Sequence, residues 1–257
     1  MNVKSIRLFL PLASSLLCLQ AASAQSGTVT AGGTSTPAPF PFGTNGPPST
    51  DPNTRVNYSG EFQQIYDASA FTSPVVISQI SFSSADASTG NVAETASYNF
   101  TITLANTTAS VTDTTSSFVS TTGGTTVYSG TLTANLLANN TFDLNIPLMM
   151  PFTYMPGAQN LLLDVVINSA TSTNADGTSE TDLFQAGDAP VRTIFHSDGG
   201  NPNSPTNTAQ TGLLTQFTTT PAPAPEPSSV LSLLVGMGGV AMACGLKAAK
   251  RRASAAQ

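Results

Sequence analysis

Eight short segments of this chain alternate apolar and polar residues, and this period of two constrains the fold more than any other feature. The segments span residues 61–66, 75–82, 98–104, 126–132, 142–146, 161–167, 191–195 and 213–217. In the clearest segment, Tyr98, Phe100, Ile102 and Leu104 fall on one side of a strand. Gly, Asn, Asp and Pro separate the segments, and no run between them has a helical period. The pattern predicts an all-β fold, an antiparallel β-sandwich or jelly roll over residues 55–218.

The distribution of charge excludes one class of partner. All fourteen acidic residues lie between Asp51 and Glu226, whereas only two of the eight basic residues, Arg55 and Arg192, fall in that stretch. Such an acidic surface repels phosphate backbones, so nucleic-acid binding is not expected. The only cysteines, Cys18 and Cys244, lie in apolar terminal segments, so the middle of the chain must fold without a disulfide.

Residues 1–24 have the order of parts of a secretory signal peptide. Lys4 and Arg7 precede an apolar run at 8–19, and a small-residue cleavage site follows. That site consists of Ala22, Ala24 and the new N-terminal residue Gln25. The alternatives are a buried N-terminal helix or a lipoprotein modified at Cys18. The following residues 25–54 are rich in Gly, Thr, Ser and Pro and are predicted to be a disordered arm.

The C-terminal end reads as a stalk, a membrane span and a basic tail. Residues 219–229 form a Pro-rich stalk, which predicts an extended spacer. Residues 230–246 are an uncharged apolar run of 17 residues, at the short end of what crosses a bilayer as a helix. The tail 247–257 holds the basic residues Lys247, Lys250, Arg251 and Arg252. The positive-inside rule places this tail in the cytoplasm, and a buried core helix is the alternative for the span.

This tail resembles a known sorting signal. Pro225, Glu226 and Pro227, followed by the apolar span and by Arg251-Arg252, resemble the PEP-CTERM signal. The resemblance implies that an exosortase-like membrane enzyme processes the chain and that it belongs to the surface of a Gram-negative, exopolysaccharide-producing cell. Residues 61–71, 74–82, 152–154 and 160–165 are also similar to the ectodomain of many PEP-CTERM proteins. That second resemblance implies a β-sandwich with a surface role and adds no catalytic residue.

Candidate sites for chemistry are few. The single histidine, His196, precedes Ser197 and Asp198, but no nucleophile elbow accompanies it, so it is predicted to be structural. One His and no Cys in the middle argue against a transition-metal site. Calcium binds oxygen ligands alone, and the weak candidates are Asn174, Asp176, Glu180 and Asp182. A solvated hairpin loop is the alternative for this stretch, and no cofactor is expected.

Two further hypotheses concern polysaccharides. Asp143 and Asp164 each stand inside an apolar strand segment, so they are the candidate acids of a glycoside hydrolase, although strand acids usually point to water. A carbohydrate-binding surface needs exposed aromatic rings, for which the candidates are Tyr58, Tyr66, Tyr128 and Tyr154. Tyrosines on sheets are more often packing residues.

The sequence therefore predicts an exported, non-enzymatic structural protein. Its precursor is expected in the inner membrane, and its mature form at the cell surface or in the extracellular matrix of a biofilm. A module that binds exopolysaccharide is the alternative, and a glycoside hydrolase ranks behind it.

Overall fold

Strands dominate the described part of the chain, and their pairings there are antiparallel. The computed structural model describes residues 26–33, 36–38, 60–85, 93–174, 184–195 and 207–223. The strands are β1 (Gly27–Ala31), β2 (Thr36–Ala38), β3 (Gly60–Tyr66), β4 (Val75–Ser83), β5 (Glu94–Thr107), β6 (Thr125–Leu136), β7 (Phe142–Tyr154), β8 (Asn160–Asn174), β9 (Phe184–Phe195), β10 (Asn207–Leu213) and β11 (Thr215–Pro221). A single 3-10 turn at Ala68–Ala70 follows β3 and is capped by Asp67. The all-β, antiparallel prediction is confirmed.

The predicted strand segments correspond to observed strands, with one division. The segment 213–217 belongs to two strands, because β10 ends at Leu213 and β11 begins at Thr215. Leu214 lies at this step, where the chain passes from one sheet to the other. Apolar residues at the end of one strand and at the start of the next form one unbroken run in the sequence. Such a run cannot be distinguished from a single strand by its pattern.

Two strands lie in the segment that was predicted to be disordered. β1 pairs with β11, with Gly27 opposite Thr219 and Ala31 opposite Thr215. β2 pairs with the start of β9. The sequence Gly-Thr-Val-Thr-Ala has too few apolar residues to signal a strand by itself, but an existing sheet edge supplies the backbone partners that make it one.

The strands form two sheets around a shared core. The four-stranded sheet has the order β1-β11-β4-β7, and the seven-stranded sheet has the order β10-β9-β3-β8-β5-β6 with β2 beside β9. Inward residues of both sheets belong to one hydrophobic cluster, among them Ile80, Phe82 and Leu144 from the first and Phe62 and Phe100 from the second. The structure is therefore a β-sandwich in its described part.

Strand β7 extends beyond its predicted end and contains two prolines. The prediction stopped at Ile146, but the strand continues through Pro147 and Pro151 to Tyr154. β7 is an edge strand of the four-stranded sheet, so these prolines remove no ladder bond on its outer side. Between Pro147 and Phe152 its pairing with β4 is interrupted, and Met149 and Met150 are exposed there.

The predicted stalk 219–229 begins inside the folded domain, because residues 219–221 belong to β11 and pair with β4. The other terminal predictions fall outside the described residues. They are the signal peptide with Ala22, Ala24 and Gln25, the motif Pro225, Glu226 and Pro227, the span 230–246, and the basic residues Lys247, Lys250, Arg251 and Arg252. No helix within the described ranges has the length and apolarity to cross a membrane.

Candidate functional site

The outer face of the seven-stranded sheet has a covered half and a bare half. Residues 108–124, which connect β5 to β6 and are called here the outer loop, fold back over the sheet. They cover a small apolar cluster of Ile65, Ala105, Leu162 and Ile194, and Phe118 and Val119 of the loop pack against it. At the end of the loop, a Cβ added to Gly124 would lie 2.9 Å from the Thr103 methyl carbon, so the loop backbone touches the sheet there. The polar side chains around this cover are the candidate site.

Arg192 of β9 anchors the first part of the outer loop. Its side chain is 1% exposed and forms an ion pair with Asp113, with Nη1 at 3.2 Å from Oδ2. The same guanidinium donates to the backbone oxygens of Ser110 and Thr115 and, through Nε, to the Thr208 hydroxyl. Hydrogen bonds from Thr115 hold the pKa of Asp113 below its usual value, and Arg192 contributes to this. A buried charge needs several hydrogen-bond partners. The loop supplies most of those partners to the Arg192 guanidinium, and these bonds in turn hold the loop on the sheet.

Gln63 of β3 anchors the second part. Its Oε1 accepts from the Val119 amide at 2.7 Å, and its Nε2 donates to the Val119 carbonyl at 2.9 Å. The side-chain amide of Gln63 thus bonds both backbone groups of Val119, in the way that a residue of a neighbouring strand would. The adjacent Gln64 does the same on the inner face, where it pairs with both backbone groups of Leu213 at the step between β10 and β11.

Gln63 also joins two acids, Glu61 and Asp164, which we call the carboxyl pair. Gln63 Nε2 lies 3.2 Å from Glu61 Oε1 and 3.1 Å from Asp164 Oδ1, so the two carboxyl groups meet at one side-chain amide. Asp164 is 7% exposed, although it stands on the outer face. The pair arises because Glu61 lies opposite Val166 and Gln63 lies opposite Asp164 in the β3–β8 register.

Burial and proximity keep a proton on this pair. Burial, followed by the negative charge of Asp164, raises the pKa of Glu61 to about 7. Burial also raises the pKa of Asp164, while hydrogen bonds from Gln63 and Glu61 oppose that rise. Two adjacent carboxyls that share one proton avoid placing two negative charges in a poorly solvated site. The geometry can therefore hold and release a proton near neutral pH.

The bare half carries an array of uncharged polar side chains, called here the hydroxyl–amide face. It consists of Thr95, Ser97, Asn99 and Thr101 of β5, Ser129, Thr131, Thr133 and Asn135 of β6, and Asn168 of β8. Side-chain hydrogen bonds join opposite members across β5 and β6, such as Asn99 to Thr131 at 2.9 Å and Thr95 to Asn135 at 3.0 Å. Asn168 extends the array by donating to Asn99. All members are exposed or half-buried.

The two candidate acids of a glycoside hydrolase, Asp143 and Asp164, lie on different sheets. Asp143 lies in β7 of the four-stranded sheet and Asp164 in β8 of the seven-stranded sheet. Asp143 instead accepts from the Leu137 amide at 2.6 Å and from the Ser84 hydroxyl at 2.6 Å, so it stabilises the turn between β6 and β7. The sequence left open whether these two acids meet, because it does not show which sheet each strand joins.

The three described tyrosines among the sugar-binding candidates are buried and present no exposed ring. Tyr66 and Tyr154 are 0% exposed, and Tyr128 is 7% exposed. The hydroxyl of Tyr66 donates to Thr215, and that of Tyr154 donates to the Gln159 carbonyl. Both rings fill the core while their hydroxyls are satisfied at its edge, which is the usual arrangement for a buried tyrosine. Tyr58 lies outside the described residues.

The remaining candidates fall at or beyond the limits of the described chain. His196 follows the last described residue of β9, and Asp176, Glu180 and Asp182 lie in the gap before β9. Asn174 is the last residue of β8. In the ranges that the structure describes, no group of three or more His, Cys, Asp or Glu side chains is arranged to hold a metal ion.

Sequence reasoning missed Glu61, Gln63 and Arg192. One signal was present: a strand with Glu, Gln and Gln among aromatic and aliphatic residues places polar groups on both faces, and such groups need partners when both faces are covered. The sequence did not show that a loop would cover the outer face.

Comparison with known proteins returned no match, whether to models of protein families, to curated proteins or to solved structures.

Proposed function

We propose that this chain is an exported structural protein of the cell surface or extracellular matrix, sorted through a PEP-CTERM-like signal. The observation that carries the proposal is the order of parts at the C-terminal end: Pro225, Glu226 and Pro227, then the apolar run 230–246, then Arg251 and Arg252. An N-terminal segment with the features of a signal peptide supports the same route. An exosortase-like enzyme in the inner membrane is the proposed processing partner.

The character of the folded domain supports a structural role. A disulfide-free β-sandwich with an acidic, Thr-rich surface stays soluble and resists association with other acidic copies. The polar side chains at the candidate site are used to hold the outer loop on the sheet. An extended proline-rich stalk would separate such a domain from the membrane.

The test is the intact mass of the protein from separated cell fractions. The proposal expects a surface or medium species that begins at Gln25 and has lost the basic tail. Replacing Pro225, Glu226 and Pro227 by alanine should leave an unprocessed species in the inner membrane. A matched control replaces Pro223, which follows the end of β11 and lies outside the motif. Unchanged processing of the motif variant would refute the sorting proposal.

A second candidate function, exopolysaccharide binding, rests on the hydroxyl–amide face. Hydroxyl and amide groups exchange hydrogen bonds with sugar hydroxyls, and the absence of charge on this face means that a neutral glycan need not displace bound ions. The face lies on the outer side of β5, β6 and β8, where its members are exposed or half-buried. This candidate differs from the earlier aromatic hypothesis, because it requires no exposed ring.

A binding assay with neutral polysaccharides tests this second candidate. Binding should weaken at least about tenfold when Ser129 and Thr131 are both replaced by glutamate, since each new charge must be desolvated by the ligand. The double variant Thr112→Glu/Thr122→Glu, which changes the exposed outer loop instead, is the control. Equal affinity of both double variants would count against the hydroxyl–amide face, and the processing experiment would be unaffected by that result.

A further inference from the structure

The strongest unexplained arrangement in the sandwich is the meeting of the carboxyl pair, Gln63 and the outer loop. Gln63 Nε2 has only two hydrogens, yet three oxygens lie within 3.2 Å of it: Val119 O, Asp164 Oδ1 and Glu61 Oε1. A proton on Glu61 that is donated to Asp164 relieves this shortage, because it leaves one amide hydrogen free for the Val119 carbonyl. The bond that holds the loop therefore depends on the protonation of the pair.

We propose that the carboxyl pair and Gln63 form a proton-operated clamp, which holds the Phe118–Val119 part of the outer loop on the sheet and releases it when both carboxyls ionise. Ionisation removes the proton between the two acids and draws both Gln63 hydrogens towards them. It also places two negative charges beneath the loop, where Asp164 is buried. Hydration of these charges requires water, and the loop is the cover that must move to admit it.

The charged groups around the clamp are consistent with a local response. On the covered half of the outer face, the described charged groups are Glu61 of β3, Asp164 of β8, Arg192 of β9 and Asp113 of the loop. β5 places the uncharged Thr103 opposite Asp164, and β9 places Ile194 opposite Gln63. Arg192 is committed to Asp113 and to loop carbonyls, so it does not neutralise the ionised pair, and the described ranges contain no other Lys or Arg.

The two parts of the outer loop are held by different anchors, and only one of these anchors is expected to titrate near neutral pH. Its first part is fixed by Arg192 and Asp113, and the pKa of Asp113 is lowered rather than raised, so this anchor does not titrate near neutral pH. Its second part depends on Gln63 and the carboxyl pair, whose shared proton leaves near neutral pH because the pKa of Glu61 is about 7. Only the second part should open as the pH rises, while residues 110–115 remain in place.

Hydrogen–deuterium exchange of the full chain tests the clamp. Peptides that cover residues 116–122 and 110–115 are compared at about pH 6 and about pH 8.5, with correction for the intrinsic pH dependence of exchange. We expect the exchange rate of residues 116–122 to rise at least about tenfold at the higher pH. This rise corresponds to a tenfold decrease in the equilibrium constant between the closed and the open loop. Exchange in 110–115 should not change.

Isosteric variants separate the clamp from general loosening. Glu61→Gln cannot ionise, so the segment 116–122 should stay protected at both pH values. Gln63→Leu removes both bonds to Val119, so the segment should exchange rapidly at both. Asp113→Asn, the control, should loosen 110–115 without altering the pH response of 116–122. If Glu61→Gln does not fold, as judged by circular dichroism, Asp164→Asn replaces it; this variant cannot carry two negative charges beneath the loop, so the rise in exchange of 116–122 with pH should be smaller than in the wild type, and a rise equal to the wild type's would overturn the clamp.

Three results would overturn the clamp. The first is a wild-type segment 116–122 whose protection is the same at both pH values. The second is equal opening of 110–115 and 116–122, which would indicate loss of the whole loop. The third is a pH response in Glu61→Gln that matches the wild type.

Discussion

At the scale of single residues, the same side chain in the same local sequence takes different roles according to what covers it. Asp143 and Asp164 both stand between apolar strand residues. Asp143 is half-buried and accepts hydrogen bonds from Leu137 and Ser84 at the turn between β6 and β7. Asp164 lies under the outer loop beside a second acid, so its charged form is disfavoured. The groups that surround each acid, and not the strand itself, set its role.

The raised pKa of Glu61 predicts a pH dependence of stability. Glu61 has a pKa of about 7 in the fold against 4.5 for an exposed glutamate, so protonation favours the folded state. Its stabilising contribution is complete below pH 4.5 and is lost as the pH rises through about 7. We expect the unfolding free energy to fall by about 1–2 kcal/mol over this window, a figure reduced for solvent screening because Glu61 is only half-buried.

Chemical denaturation at several pH values measures this effect. The Glu61→Gln variant should lose the slope between about pH 4.5 and 7, because it has no proton to release there. Asp67→Asn is the matched control: hydrogen bonds from Ser69 lower the pKa of Asp67, so its removal should leave that slope intact. A wild-type slope that persists in Glu61→Gln would contradict the assignment of the raised pKa to Glu61.

At the scale of elements, β1 shows how a weak strand becomes ordered. Its residues pair with β11, and the chain then turns at Gly32, which has φ +100°. A side chain at Gly32 would collide with the Leu213 carbonyl oxygen and would lie 3.0 Å from the Leu214 Cα. The glycine therefore allows the chain to leave the sheet edge directly against the step between β10 and β11.

Substitution of Gly32 tests this account of β1. Gly32→Ala should destabilise the fold by about 1–3 kcal/mol, because it combines a positive φ with a backbone collision. The measurement is the midpoint of thermal unfolding. Gly27→Ala is the control in the same strand, since a Cβ there meets nothing within 4 Å, and it should change stability by less than about 0.5 kcal/mol. Equal midpoints for the two variants would show that β1 and its turn add no stability.

At the scale of the whole molecule, the two sheets are joined by aromatic contacts across the core. Phe217 of β11 meets Tyr66 of β3 edge to face, with ring centroids 5.0 Å apart, and lies 5.5 Å from Phe71. Phe71 in turn meets Tyr154 of β7 at 4.8 Å. Because these rings come from both sheets, separation of the two sheets would expose them to water. The sandwich is therefore expected to unfold as one unit.

Truncation of Phe217 measures this coupling. Phe217→Ala removes a fully buried ring and should lower the unfolding free energy by about 3–5 kcal/mol. The loss should appear in one transition seen equally by tyrosine fluorescence and by far-ultraviolet circular dichroism. Leu137→Ala, at a side chain that is 53% exposed, should change stability by less than about 0.5 kcal/mol. Two separate transitions in either protein would contradict a shared core.

The sequence alone determined the fold class and the positions of most strands, because the period of two is a local property that each segment carries by itself. Tyr98 to Leu104 is buried on alternate positions as that period requires. The sequence also supplies the whole basis for the sorting proposal, since Pro225, Glu226 and Pro227 lie outside the described residues.

Only the tertiary structure decided the candidate site and the strands at the sheet edges. Glu61 and Asp164 are far apart in the chain and meet through the β3–β8 register, while the outer loop that buries them comes from a third region. β1 is a strand because β11 offers it an edge. Pairing, cover and burial arise between segments distant in sequence, so no local pattern encodes them.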